Sequence, residues 1–293
     1  FCSANGDDDP DIGDLDDDGA GGGLGGTFLA GGSSAGGGPM DHCSEAARLI
    51  YLLSDNNELY SFDPSIPQAT HVGTLGCQTI MQPNSMAIDR DAVAWVNYVG
   101  NNGLEDSQGV IFKVSTEDAS CEPTPAVTLP EGWYRVGMGF ATDGVDTEEE
   151  TLFVTSINGE GALGSIDTDS GGLTPIGAFG GAFAFQNAEL TGTGDGRLYG
   201  FFTSSPVEVA LLDKSTGGVT SSTPLPQVEQ PTAWAFSFWG GDFYLYTAQA
   251  GLPSRVNRYR PADGSVDTSF IDSTGFRIVG AGVSTCAPLE PPK

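Results

Sequence analysis

Arg277–Cys286, RIVGAGVSTC, is a strand with no partner after it, and the fold turns on where that partner lies. Four earlier stretches resemble it: Asn84–Asp89 (NSMAID), Val136–Asp143 (VGMGFATD), Asn187–Thr193 (NAELTGT) and Thr232–Phe238 (TAWAFSF). Each of those four is followed by a turn and then by an apolar, aromatic-rich strand. The complementary gap sits upstream, where Arg48–Ser54 (RLIYLLS) reads as a second strand with no first strand ahead of it. If the last strand supplies the missing first one, the chain closes into a ring.

The cycles support that closure. The apolar second strands are Leu49–Leu53, Val93–Tyr98, Leu152–Ile157, Leu198–Phe202 and Phe243–Thr247, and their starts recur 44, 59, 46 and 45 residues apart. Third strands follow at Glu58–Pro64, Val110–Thr116, Ala162–Thr168, Val207–Lys214 and Arg255–Pro261, each ending in a polar turn. Weaker fourth strands include Thr70–Leu75, Leu173–Phe179 and Val266–Ile271. Four short strands in a period of roughly 45 residues are the signature of a propeller blade. Leu198, Gly200 and Phe202 alternate with Tyr199 and Phe201, so this strand is apolar on both faces, as a strand packed between blades must be. The predicted fold is therefore all-β: a single five-bladed β-propeller over residues 41–293, closed by the C-terminal strand. Residues 1–40 form an acidic, Gly-rich, non-globular arm ahead of it.

The turn Asp213-Lys-Ser-Thr-Gly217 after the third strand has the form D-x-x-[ST]-G. In this and in its four-strand period the chain resembles the secreted β-propeller repeat proteins of bacteria, over about residues 43–288. That resemblance implies an architecture and no particular activity.

Lys plus Arg 11 against Asp plus Glu 39 gives a net charge of −28. Such a chain repels nucleic acid and anionic lipid, so neither is expected as a partner. No apolar run is long enough for membrane insertion. The five cysteines, Cys2, Cys43, Cys77, Cys121 and Cys286, contain no C-x-x-C pair and accompany two histidines, His42 and His71, which argues against a zinc site. Scattered cysteines and Ser/Thr-rich strands point to a secreted protein on the extracellular cell surface. Ring closure brings Cys43 to Cys286, and we expect that disulfide, with Cys77–Cys121 as the second. In the chain-entropy model the first would stabilise by roughly 5 kcal/mol. Cys2 is left over, which points to intermolecular pairing, lipidation or a free thiol. A start at Phe1 suggests a processed chain, and Phe1 ahead of Cys2 argues against a lipid anchor.

Asp14, Asp16 and Asp18 with Gly19 match the opening of a calcium loop, but Gly25 stands where a bidentate Glu is wanted. The alternative is a solvated charge run, which the acidity of the chain favours. No cofactor is required, and calcium is the one candidate. Gly32-Ser-Ser-Ala-Gly36 and the glycines of 21–26 mimic hydrolase and dinucleotide motifs within low-complexity sequence and carry no chemistry. Trp234, Phe236 and Phe238 alternate along one strand and read as wedges between blades rather than as a sugar platform. Arg255, Arg258 and Arg260 form the one basic patch. An enzyme on this fold would need polar residues around the central axis, and the inner strands, rich in Ala, Gly, Ser and Thr, do not suggest them.

The functional expectation is accordingly a non-catalytic, secreted structural protein that assembles head-to-tail into a homopolymer or filament. Its arm would reach the next subunit, with Phe28 and Leu29 as the anchor and Cys2 as a covalent lock. The alternative is a monomeric cell-surface propeller that binds a protein, glycan or small ligand, with the arm as a tether.

Overall fold

The computed structural model describes residues 43–101, 106–145, 147–156 and 162–291. Cys2, Asp14, Asp16, Asp18, Phe28, Leu29 and His42 lie outside the described residues. Among the described residues the strands form five four-stranded antiparallel sheets. The closing blade joins β20 (Ile278–Val283) to β1 (Ile50–Ser54), β2 (Glu58–Asp63) and β3 (Gln68–Thr74). The second contains β4 (Gln82–Ile88), β5 (Val93–Asn101), β6 (Asp106–Ser115) and the two-residue β7 (Val127–Thr128). The third contains β8 (Val136–Thr142), β9 (Glu150–Ser156), β10 (Ala162–Ile166) and β11 (Leu173–Ala178). The fourth contains β12 (Ala188–Gly192), β13 (Leu198–Phe202), β14 (Glu208–Leu212) and β15 (Val219–Pro224). The fifth contains β16 (Ala233–Trp239), β17 (Asp242–Ala248), β18 (Arg255–Arg260) and β19 (Ser265–Ile271). This is a five-bladed β-propeller.

The C-terminal strand closes it. β20 pairs antiparallel with β1, Ile50 opposite Val283 and Leu52 opposite Ala281. A disulfide between Cys43 and Cys286, with Cα atoms 5.7 Å apart, ties the two ends of the ring just beyond that pairing. The second disulfide, Cys77–Cys121, links the segment after β3 to the turn after β6.

Two-sided burial is what the alternating strands encode. Ile50 and Leu52 pack with Tyr244 and Tyr246 of the fifth blade, whereas Tyr51 and Leu53 pack with Met86 and Val96 of the second. The same handover recurs around the ring, from Trp95 and Ile111 to Met138 and Val154, then from Phe153 and Leu163 to Leu190 and Phe202. Phe201 and Val209 complete it against Phe236 and Leu245. Burying each such side chain contributes roughly 1.5–3 kcal/mol, so the seams between blades, rather than a single central core, hold the ring together.

The innermost strands β20, β4, β8, β12 and β16 contact one another in that cyclic order around the axis. Glycine permits their close approach. A Cβ on Gly137 would lie 2.1 Å from the Ala188 carbonyl oxygen, and one on Gly192 would lie 2.0 Å from that of Phe140. At the outer rim the D-x-x-[ST]-G turn works through its aspartate. Asp213 Oδ1 accepts from the Ser215 and Thr216 N–H groups at 2.8 and 3.2 Å, and Gly217 takes φ +78°.

Candidate functional site

All five innermost strands run in the same sense along the axis, so their starts meet at one mouth of the ring and their ends at the other. At the first mouth every blade contributes a polar side chain. Asn84 lies in β4, and Arg135, Asn187, Thr232 and Arg277 stand immediately ahead of β8, β12, β16 and β20. Together with Glu189 and Trp234 they line a cavity of about 390 Å³. This corrects the expectation that the inner strands leave the axis without polar residues. The ring is built largely from the residue before each strand, where the chain turns inward from the previous blade.

The side chains are held in place. Arg135 Nη1 donates to Asn84 Oδ1 at 2.5 Å, and Asn84 Nδ2 donates in turn to Asn97 Oδ1 and to the Val136 carbonyl, both at 2.9 Å. Arg277 donates to the Gln249 carbonyl at 2.8 Å and to Thr232 Oγ1 at 3.2 Å. Glu189 is 3 % exposed and accepts from Ser85 Oγ at 2.8 Å. Burial pushes its carboxyl up to about 8, against the lowering pull of the Ser85 hydroxyl, the Met138 N–H and the Arg135 charge. The lining of this mouth thus combines one buried carboxyl, Glu189, with the guanidinium groups of Arg135 and Arg277. Two cations at one axial position are notable in a chain of net charge −28.

At the second mouth the polar groups bond one another. The Arg90 N–H and Thr285 Oγ1 donate to the two oxygens of Glu150 at 2.8 and 2.7 Å, and Arg90 Nη1 reaches Thr285 Oγ1 at 3.1 Å. Arg90 also lies 3.5 Å from Cys43 Sγ. Burial raises Glu150 to about 7, offset in part by the Thr285 hydroxyl and the Arg90 amide. Lys214 of the fourth blade donates to the Thr142 carbonyl at the end of β8, at 2.6 Å.

Other expectations fare differently. Phe236 and Phe238 are wedged between the fourth and fifth blades, and Trp234 on the same strand packs against that seam while also lining the open mouth. Arg258 pairs with Asp242 of its own blade, and Arg260 lies 3.9 Å from the same carboxylate, so much of the basic patch is answered within the propeller. His71 sits on β3, hydrogen-bonded to the exposed Glu58 and far from the axis. A groove of about 470 Å³ lies along the fifth blade near Arg255, Asn257 and Asp272, but it draws on one blade and the loops beside it. Among the described residues no group of three or more His, Cys, Asp or Glu could hold a metal ion. None of their helices is long and apolar enough to cross a membrane.

No family model matches the chain, and no curated protein matches it. Among solved structures it is similar to TolB from Acinetobacter baumannii, at 18 % identity and a TM-score of 0.43, over 75 % of this chain and 51 % of that one. The chain thus spans about half the length of that protein. It is also similar to a protein of unknown function from Bacteroides caccae, at 11 % identity and a TM-score of 0.42, over 79 % of this chain and 84 % of the other. The likeness is one of fold. The two disulfides indicate an oxidising compartment outside the cytoplasm.

Proposed function

We propose that this chain is a non-catalytic binding propeller of the cell surface, taking a small ligand at the mouth where its innermost strands begin. The observation that carries this reading is the ring of five polar side chains, one per blade, around a cavity large enough for a small molecule. The non-catalytic reading is supported by the carboxyls. Among the described residues the cavity is lined by one carboxyl, Glu189, whereas glycoside hydrolysis generally uses two facing each other across the bond. Glu150, the other carboxyl with a strongly raised pKa, belongs to the opposite mouth.

A thermal-unfolding screen against organic acids, neutral sugars, phosphates and calcium tests the reading, since a ligand that binds only the folded state raises the melting temperature. At least one class is expected to stabilise the wild type and to lose that effect in Trp234→Ala. Ligands that stabilise both proteins equally, or a screen without a hit, would count against a site at this mouth.

A second reading is self-assembly into an extracellular polymer through the N-terminal arm. It is favoured by the cysteine pairing, because Cys43–Cys286 and Cys77–Cys121 leave Cys2 as the odd one of five. Phe28 and Leu29 would dock on the next subunit, and Asp14, Asp16 and Asp18 would bind calcium if assembly requires it. Negative-stain microscopy with calcium and with chelator tests this, using a chain that lacks residues 19–38 as the control. Filaments formed by the full chain and lost in the deletion support assembly, and dispersed particles from the full chain in both conditions end it.

A further inference from the structure

We infer that the ligand of the open mouth is a monosaccharide-sized carboxylate, a sugar acid of the uronate class, with its carboxylate held by Arg277. This rests on the binding reading above and narrows it to one kind of ligand.

The argument starts from the order of the blades. Around the axis the innermost strands follow the sequence β20, β4, β8, β12, β16, so Arg277 and Arg135 flank Asn84 on one side of the cavity. Asn187, Thr232 and Trp234 occupy the other side. The cavity is therefore polarised, with cationic donors at one end and hydrogen-bonding amide and hydroxyl groups with an indole at the other, and the buried Glu189 carboxyl, bonded to Ser85, also lines it. A guanidinium is suited to a carboxylate because its planar fork of N–H groups matches two oxygens. Arg277 is already oriented by the Gln249 carbonyl and Thr232 Oγ1, and it carries more N–H donors than these two bonds use. Both of those partners are uncharged, and no carboxylate among the described residues forms an ion pair with it. An incoming carboxylate would thus meet a fixed guanidinium without displacing an acid.

The neutral side specifies the body of the ligand. Asn187 supplies both a donor and an acceptor, and the Thr232 hydroxyl adds a further polar group, which suits a ring bearing several hydroxyls. Trp234, half-buried against the seam of the fourth and fifth blades, also lines this side, and an indole is the kind of apolar group that covers the C–H face of a sugar. Inorganic phosphate would satisfy Arg277 but leave the neutral side and most of the 390 Å³ unused. A divalent cation is disfavoured by the arginines, and a neutral sugar gives Arg277 no counter-charge.

Isothermal titration with D-galacturonate and D-glucuronate, each at millimolar concentration, tests the inference on the full chain. Methyl β-D-galactoside and inorganic phosphate serve as comparisons. A uronate is expected to bind about tenfold or more tightly than the neutral galactoside, and Arg277→Gln to remove about that factor. Because Arg277 precedes the closing strand, its variant is checked for an unchanged melting temperature. An independent measurement is the wild-type salt series, in which uronate affinity should fall as ionic strength rises. Equal binding of the neutral galactoside, or binding of phosphate without either uronate, overturns the inference while the binding site stands. Failure of all four probes overturns it as well, and the binding reading falls with it only if the wider screen also finds no ligand.

Discussion

The two mouths of the ring are made by the same five strands and have opposite characters. Where the strands begin, Asn84, Arg135, Asn187, Thr232 and Arg277 surround an open cavity. Where they end, Arg90, Glu150 and Thr285 satisfy one another, and the Cys43–Cys286 disulfide sits beside them. Both mouths contain a glutamate with a raised pKa, the half-buried Glu150 bonded to its neighbours and the buried Glu189 bordering the cavity. A raised carboxyl pKa is therefore a poor marker of a site by itself. What separates the two is whether the groups around the carboxyl are arranged for each other or around empty space.

The largest effect is expected at the second mouth, from the bond that locks the ring. Cys43→Ser with Cys286→Ser should cost about 3–5 kcal/mol, read as a lower urea midpoint with an unchanged ligand affinity per folded molecule. Next comes the packing that keeps the axis narrow. Gly192→Ala places a methyl where the Phe140 carbonyl already lies, and a cost of about 3 kcal/mol is expected in the same measurement.

The two glutamates give a sharper contrast through pH. Glu189 has its pKa raised from an ordinary 4.5 to about 8, so between those values the folded chain holds a proton that the unfolded chain has lost. Its contribution therefore weakens stability as pH rises through that window. Glu189→Gln should raise the melting temperature near pH 9 relative to wild type, by the equivalent of about 1–3 kcal/mol, and change it much less near pH 4. Glu150→Gln should follow the same sign with a smaller gain. Its window closes at about 7, and the amide cannot satisfy both the Arg90 N–H and Thr285 as a carboxylate does. If the two variants gave the reverse order, the assignment of burial as the dominant cause at Glu189 would be wrong.

Much of this architecture is legible in the sequence. The five openings and the spacing of the apolar second strands carry the blade count, and the unpartnered RIVGAGVSTC carries the closure. Closure in turn places Cys43 beside Cys286. β7 escapes because two paired residues, Val127 and Thr128, leave no periodicity to detect. The open mouth was within reach: Asn84, Asn187, Thr232 and Arg277 are the first residues of four of the quoted openings, and Arg135 directly precedes the fifth. Equivalent positions in a closed repeat must form a ring, so a polar residue at each of them is a polar ring. Which mouth stays open is not readable in this way. It depends on contacts such as those among Arg90, Glu150 and Thr285, whose members are separated by 60 to 195 residues and by no recurrent spacing. Arg258 is misread for a similar reason, since its partner Asp242 lies on the neighbouring strand rather than within its own run.

The central claim is that the first mouth receives a ligand and the second does not. Backbone amide shifts during a titration with D-galacturonate test it most directly, because both mouths report in one spectrum. The account predicts saturable shifts at Asn84, Arg135, Asn187, Thr232 and Arg277, with Arg90, Glu150 and Thr285 unmoved. Shifts centred on Arg90 and Thr285, or confined to the rim of the fifth blade around Asn257 and Asp272, would contradict it.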